Sequence, residues 1–172
     1  MPDRSNAVTM KGNPLTLTGQ VVEPGQKAPD FTALKTDLSE AKLSDFSGRT
    51  VVLLSVPSLD TSVCATETKR FNDEAAKLGE DVSVLVISMD LPFAQSRWCG
   101  NEGVENVLPL SDHRDASFGE AYGVLIKELR LLARCVFVVD ASGQVTYKQL
   151  VEEVTNEPDY DEVLQAVDEA RS

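Results

Sequence analysis

The sequence predicts an α/β fold in which a central mixed β-sheet is flanked by helices. Two apolar runs rich in β-branched residues, VVLLSV (51–56) and VSVLVISM (82–89), have the length and composition of strands buried on both faces. Helix-period stretches bounded by capping and stop residues alternate with them, giving the order β-α-β-α-β. A second β-hairpin and an amphipathic helix close the chain, so antiparallel strands must join the parallel ones.

Each element has its own signal. VTMKGNPLTL (8–17) reads as an N-terminal hairpin occupying about 8–18, two alternating runs joined at Gly12-Asn13. After the turn-rich EPGQKAPD, FTALKTD (31–37) reads as a strand and AKLSDFSGRT (41–50) as a loop or one helical turn. Residues 62–78 read as a helix stopped by Gly79. Asp90 can cap a short helix with Pro92 in its first turn and Gly100 at its end. NVLPLSD (106–112) suggests a strand and ASFGEAYG (116–123) a short helix. CVFVVDASGQVTYKQLV (135–151) is a hairpin turning at Ala141-Ser142-Gly143. DYDEVLQAVDEAR (159–171) is an amphipathic helix with Val163, Leu164 and Val167 on its apolar side. Without repeats or long linkers, residues 1–172 read as one domain.

Bulk properties narrow the function. A net charge of −12 argues against nucleic acid and anionic membrane surfaces, which are bound through Lys and Arg. No apolar run approaches the length of a membrane span, and MPDRSNAVTMKGNP lacks the apolar core of a signal peptide, so a cytoplasmic location is expected. Three cysteines without a CxxC make neither a disulfide framework nor a structural zinc site, and the lone His113, in the charged turn SDHRD, has no nearby sulfur. No cofactor or metal is expected.

Cys64 raises the chemical question. Phe71, Ala75 and Leu78 mark the inward face of its helix, and Cys64, seven residues before Phe71, shares it. It also lies in the first turn, where free N–H groups and the helix dipole favour an anion. An ordinary thiol of pKa about 8.5 is only about 3% thiolate at pH 7, and about 90% requires a shift of roughly 3.4 kcal/mol. An exposed helix terminus supplies about 1 kcal/mol or less. Hydroxyls such as Thr61, or a cation, would have to supply the rest. By position alone Cys64 fits a small buried hydrophobe as well as a reactive thiolate.

The neighbourhood is more specific. Pro57-x3-Thr61-x2-Cys64, in PSLDTSVC, resembles the active-site signature of the peroxiredoxins. DLPFAQSRWCG (90–100), LLARCVFVVD (131–140) and EVTNEPDY (153–160) resemble, in the same order, the resolving-cysteine segment, arginine-bearing strand and C-terminal signature of the thiol peroxidase branch, the atypical two-cysteine group. The N-terminal hairpin is similar to one this branch adds, and the likeness runs from about residue 8 to about 170. The resemblance implies a thioredoxin-like fold and a peroxidase acting on hydrogen peroxide and organic hydroperoxides.

On that resemblance Cys64 is the peroxidatic cysteine, whose thiolate takes an oxygen from the hydroperoxide and becomes a sulfenic acid. Thr61 is the hydroxyl bonding thiolate and peroxide, and Pro57 a wall against solvent, though a proline that merely ends a strand would read the same. Arg134 matches the active-site arginine that stabilises the thiolate and developing charge. Cys99 matches the resolving cysteine, implying a Cys64–Cys99 disulfide formed after local unwinding and reduced by thioredoxin or a similar dithiol protein. A homodimer is implied too. Cys135 departs from the small apolar residue usual in the branch; strand alternation turns it away from Arg134, so it reads as a core thiol.

Rivals lack their own residues. A thioredoxin-type reductase needs a second cysteine at position 67, which is Glu. Resolution within the same helix wants one at 69, which is Lys, and the dimer-linking type needs one near the C-terminus, where none follows Cys135. A redox sensor relaying the same disulfide to a partner would carry identical residues, and an acidic α/β binding protein with inert thiols is the plainest alternative.

Overall fold

The computed structural model describes residues 3–171. In order come β1 (Asp3–Met10), β2 (Asn13–Thr18), β3 (Thr32–Leu34), β4 (Glu40–Lys42), β5 (Thr50–Ser55), α1 (Ser62–Ala75), β6 (Val82–Ser88), α2 (Pro92–Glu102), β7 (Leu108–Ser111), α3 (Ser117–Ala121), β8 (Leu125–Ile126), β9 (Leu131–Leu132), β10 (Cys135–Val139), β11 (Val145–Leu150) and α4 (Tyr160–Arg171). A seven-stranded sheet has the order β11-β10-β5-β6-β7-β3-β4. Its parallel centre, β5-β6-β7, is flanked on both sides by antiparallel strands, so it is mixed as expected.

Alternation along the strands splits the core in two. Val52, Leu54, Val84, Val86, Val136 and Val138 meet α1, α2 and α4 through Phe71, Trp98, Val163 and Val167. Val51, Leu53, Leu85, Ile87, Cys135 and Phe137 meet the opposite layer. There α3 contributes Phe118, and a second sheet, ordered β1-β2-β8-β9, contributes Val8, Leu17, Ile126 and Leu132. Helices thus lie on both faces, but three crowd one side and a five-residue helix serves the other. The second sheet does the covering that α3 is too short to do. Among the described residues no helix is long and apolar enough to cross a membrane.

Several boundaries differ from the sequence expectation. The first hairpin begins at Asp3 and turns at Lys11-Gly12, not Gly12-Asn13; both turn residues have positive φ (52° and 82°), matching the twist of a two-residue hairpin loop. The segment 41–50 contains a 3₁₀ turn at Leu43–Phe46, as expected, but opens with the end of an edge strand, β4. Helix α1 ends at Ala75, and 76–78 continue as a turn. Helix α2 is capped by Leu91 rather than Asp90 and runs through Gly100 to a stop at Gly103, whose left-handed φ of 67° only glycine adopts without cost. The N–H groups of Gly103 and Val104 both bond to the carbonyl of Cys99, a Schellman-type end. On α4 the buried residues are Val163, Ala166 and Val167, with Leu164 at the margin.

Phe118 is fully buried, stacked on Tyr122 at 4.5 Å and edge-on to Phe31 at 5.1 Å. Truncation to alanine is expected to cost about 3–5 kcal/mol in urea denaturation. The Trp98 emission of the native protein should stay unchanged, because Trp98 packs on the opposite face of the sheet.

Candidate active site

The site is assembled at the C-terminal end of β5. Pro57 is buried just past that strand, and residues 58–61 turn into α1. Thr61 is the N-cap, with extended backbone (φ −90°, ψ 147°), and its Oγ1 accepts the Cys64 N–H at 3.3 Å. The same hydroxyl donates to the carbonyl of Ser58 at 3.0 Å. Its proton is therefore committed to the turn, not to a sulfur. Cys64 follows in the first turn of α1 with its side chain fully buried among the apolar residues beneath the helix.

Arg134 enters from the other end of the chain, immediately before β10. It is 1% exposed, the largest fully buried side chain among the described residues. Nε and Nη2 both donate to the carbonyl of Val154, at 3.1 and 2.8 Å, and Nη1 donates to Oε1 of Glu67 at 2.8 Å. The Cys64 sulfur is a further electrostatic partner of the guanidinium. Burial opposes the cation, but Glu67 and Cys64 more than offset it, so Arg134 holds its proton above the ordinary range.

Glu67 is the residue sequence reasoning missed. It lies three positions past Cys64 on the same face of α1 and is completely buried. Burial pushes its pKa up to about 7 while Arg134 pulls the other way. Its Oε2 has no hydrogen-bond partner. The available signal was a charged residue inside the stripe from Cys64 to Phe71, where an apolar one was due.

The segment that grips Arg134 is itself anchored by the N-terminal hairpin. Val154 N–H donates to the Thr9 carbonyl at 2.9 Å, and Glu153 Oε1 accepts from Thr9 Oγ1 and Gly12 N–H, both at 2.9 Å. The Thr155 hydroxyl and N–H, with the Gly12 N–H and the Thr9 hydroxyl, hold the Glu153 pKa at about 2.

Known proteins resemble this chain over nearly its whole length. The redoxin family profile matches residues 23–164. The thiol peroxidase of Bacillus subtilis is 57% identical over 92% of this chain and 95% of its own, and that of Staphylococcus aureus 54% over 92% and 96%. A solved peroxiredoxin-like protein from Aquifex aeolicus superposes with a TM-score of 0.90 at 46% identity, covering 96% of this chain and 98% of that one.

The chain belongs to the redoxin family, in its thiol peroxidase branch. The thioredoxin-like fold expected for a peroxiredoxin is the fold observed, and the chain is an enzyme of peroxiredoxin type. Of the residues the sequence nominated for a redoxin site, Pro57, Thr61, Cys64 and Arg134 converge on one place. Cys99 lies in the last turn of α2, half-buried against the same apolar cluster, and all three cysteines are free thiols. Burial raises the Cys99 thiol pKa. Cys135 points into the opposite layer, where burial pushes its thiol to about 12; it is a core residue without access to Arg134. His113 is exposed.

A cavity of about 280 Å³ lies against the first turns of α1, lined by Ser62, Val63, Thr66 and Thr155–Glu157. A larger one, about 540 Å³ and bordered by Lys27, Phe46, Arg49 and Ser142, is lined by none of the site residues. Its size does not outweigh its distance from the reactive groups. Among the described residues no three His, Cys, Asp or Glu side chains gather where a metal ion could sit.

The Arg134–Glu67 pair makes a stability prediction. A carboxyl whose folded pKa stands above its unfolded value of 4.5 binds extra protons in the native state, so its contribution declines as pH rises from about 4.5 through about 7. Arg134→Ala removes the partner that lowers the Glu67 pKa, extending that window upward. Urea denaturation of Arg134→Ala is expected to show a loss of about 3–5 kcal/mol near neutrality, shrinking toward pH 5. A pH-independent loss would contradict it.

Proposed function

We propose that this enzyme reduces hydrogen peroxide and organic hydroperoxides through Cys64, with Cys99 as resolving cysteine and thioredoxin or a similar dithiol protein as reductant. The Cys64 thiolate attacks the terminal peroxide oxygen, the O–O bond breaks, and the leaving alkoxide or hydroxide takes up a proton. Cys64 is left as a sulfenic acid. The Cys99 thiolate then attacks the Cys64 sulfur, water departs, and a disulfide forms. An external dithiol reduces it and is itself oxidised to a disulfide.

The observation that carries this reading is the buried Arg134 guanidinium beside Cys64. It supplies a desolvated positive charge where both the thiolate and the developing oxyanion need one. The N-terminal turn of α1 adds backbone N–H groups on the same side. Thr61 serves as the hydroxyl that orients the peroxide once its proton turns away from Ser58, and Pro57 as the wall below it. A homodimer belongs to the same reading, and the exposed Leu91 and Phe93 at the start of α2 are compatible with a covered surface there.

Resolution requires movement. The α1 residues bonded to the end of α2 and just beyond are Lys69, to Glu102 at 2.7 Å, and Asn72, to the N–H groups of Glu105 and Asn106. They lie five and eight positions past Cys64, about 7.5 to 12 Å along the helix axis. Unwinding the last turn of α2 frees Cys99 to approach and removes the burial that raises its pKa.

One equivalent of hydrogen peroxide is expected to change Trp98 fluorescence and leave a Cys64–Cys99 disulfide in peptide mass spectra. Cys64→Ser should lack both, and Cys99→Ser should consume one equivalent and stop at the sulfenic acid. Full peroxidase turnover by Cys64→Ser with a recycling thioredoxin system would overturn the assignment.

A further inference from the structure

The carboxylate of Asp90, which caps no helix, joins the two cysteine-bearing segments. Oδ1 accepts the hydroxyl of Ser58 at 2.7 Å, and Oδ2 accepts the Leu59 N–H at 2.8 Å and the Ser88 hydroxyl at 2.9 Å. Two of these partners lead on. The Ser58 carbonyl takes both the N–H and the hydroxyl of Thr61, and the Thr61 oxygen takes the Cys64 N–H. Ser88 Oγ accepts Nε2 of Gln95 at 3.0 Å, and Gln95 is fully buried on α2, one turn before Cys99. The backbone of Asp90 is pinned as well, its carbonyl accepting the Ser111 hydroxyl.

We propose that Asp90 is a positioning residue for both half-reactions: it latches the 58–61 turn that builds the cap under Cys64, and ties that turn to the helix that carries Cys99. The inference rests on the assignment of Cys64 and Cys99 given above. With the latch closed, Thr61 and the first turn of α1 keep the geometry for attack on peroxide. With it open, the turn loses two charge-assisted bonds together, and α2 loses the Ser88 link between Gln95 and the turn. The two segments therefore loosen as one unit, which formation of the disulfide needs. A carboxylate suits this node because it accepts all three bonds with a full negative charge, whereas an amide lacks that charge and would turn its NH2 toward Ser58, whose hydroxyl would have to reverse and accept.

The test is Asp90→Asn in the full-length reduced enzyme, mixed with hydrogen peroxide in a stopped-flow instrument, following Trp98 emission. Two phases are expected in the wild type, sulfenic acid formation and then the disulfide. In Asp90→Asn the first should slow about tenfold while the second accelerates severalfold. The yield of sulfinic acid at Cys64 under excess peroxide should fall, because faster resolution leaves less sulfenic acid to overoxidise. Ser58→Ala removes one of the three bonds and should shift both phases in the same directions by less; it carries the test should Asp90→Asn fail to fold. A residue of merely structural importance would leave both phases unchanged or slow both together, and either result overturns the proposal. If the wild type itself formed no Cys64–Cys99 disulfide, the underlying assignment would fail instead, so the two failures are distinguishable.

Discussion

A buried guanidinium organises this molecule. Taking the Arg134 charge out of water costs several kcal/mol even after relaxation. That cost is offset only if its donors find strong acceptors, and the chain provides them from distant places: the Val154 carbonyl for Nε and Nη2 and the Glu67 carboxylate for Nη1, with the Cys64 sulfur as a further charge partner. Each acceptor is a positional demand on a different element. Helix α1 must present Cys64 and Glu67 on one face, β10 must follow directly on Arg134, and residues 152–155 must close over it. Glu67 offsets the cation's burial while competing with the sulfur for its charge, and its own burial, which favours the neutral acid, moderates that competition.

The same demand accounts for the N-terminal hairpin. Residues 152–155 follow β11 with only Val154 buried among them, yet they hold the carbonyl that fixes the guanidinium. Thr9 and Gly12 stitch this segment to the hairpin, and a Glu153 carboxylate with a pKa near 2 remains charged and bonded through the whole neutral and mildly acidic range. An element some fifty positions before Cys64 thus steadies the site without touching the sulfur.

The central strands and the division of β10 into two faces were legible because alternation and continuous apolar runs report burial directly. That Arg134 and Cys135 lie on opposite faces follows from that alternation alone; that Arg134 takes the Cys64 side was implied only by the family resemblance. The short strands β4, β8 and β9 were not legible, since two or three positions carry no period; β3, equally short, was read because FTALKTD follows the turn-rich EPGQKAPD. Asp90 reads as a helix cap from its place before Leu91-Pro92, and only the fold shows that Ser58 and Leu59 lie within its reach. Gly100 reads as a stop because nothing local distinguishes it from Gly103; the choice depends on where Val104 finds its buried contact. Glu67 was hidden because its partner lies sixty-seven residues away.

The most direct measurement is the single-turnover rate of Cys64 with hydrogen peroxide at pH 7 in an Arg134→Gln variant whose native fold is verified by circular dichroism. If the buried cation is what makes this sulfur reactive, the rate falls about 100-fold or more, as when a preorganised charged donor is lost. A rate within twofold of the wild type would mean that Arg134 serves only packing, and would contradict the account at its centre.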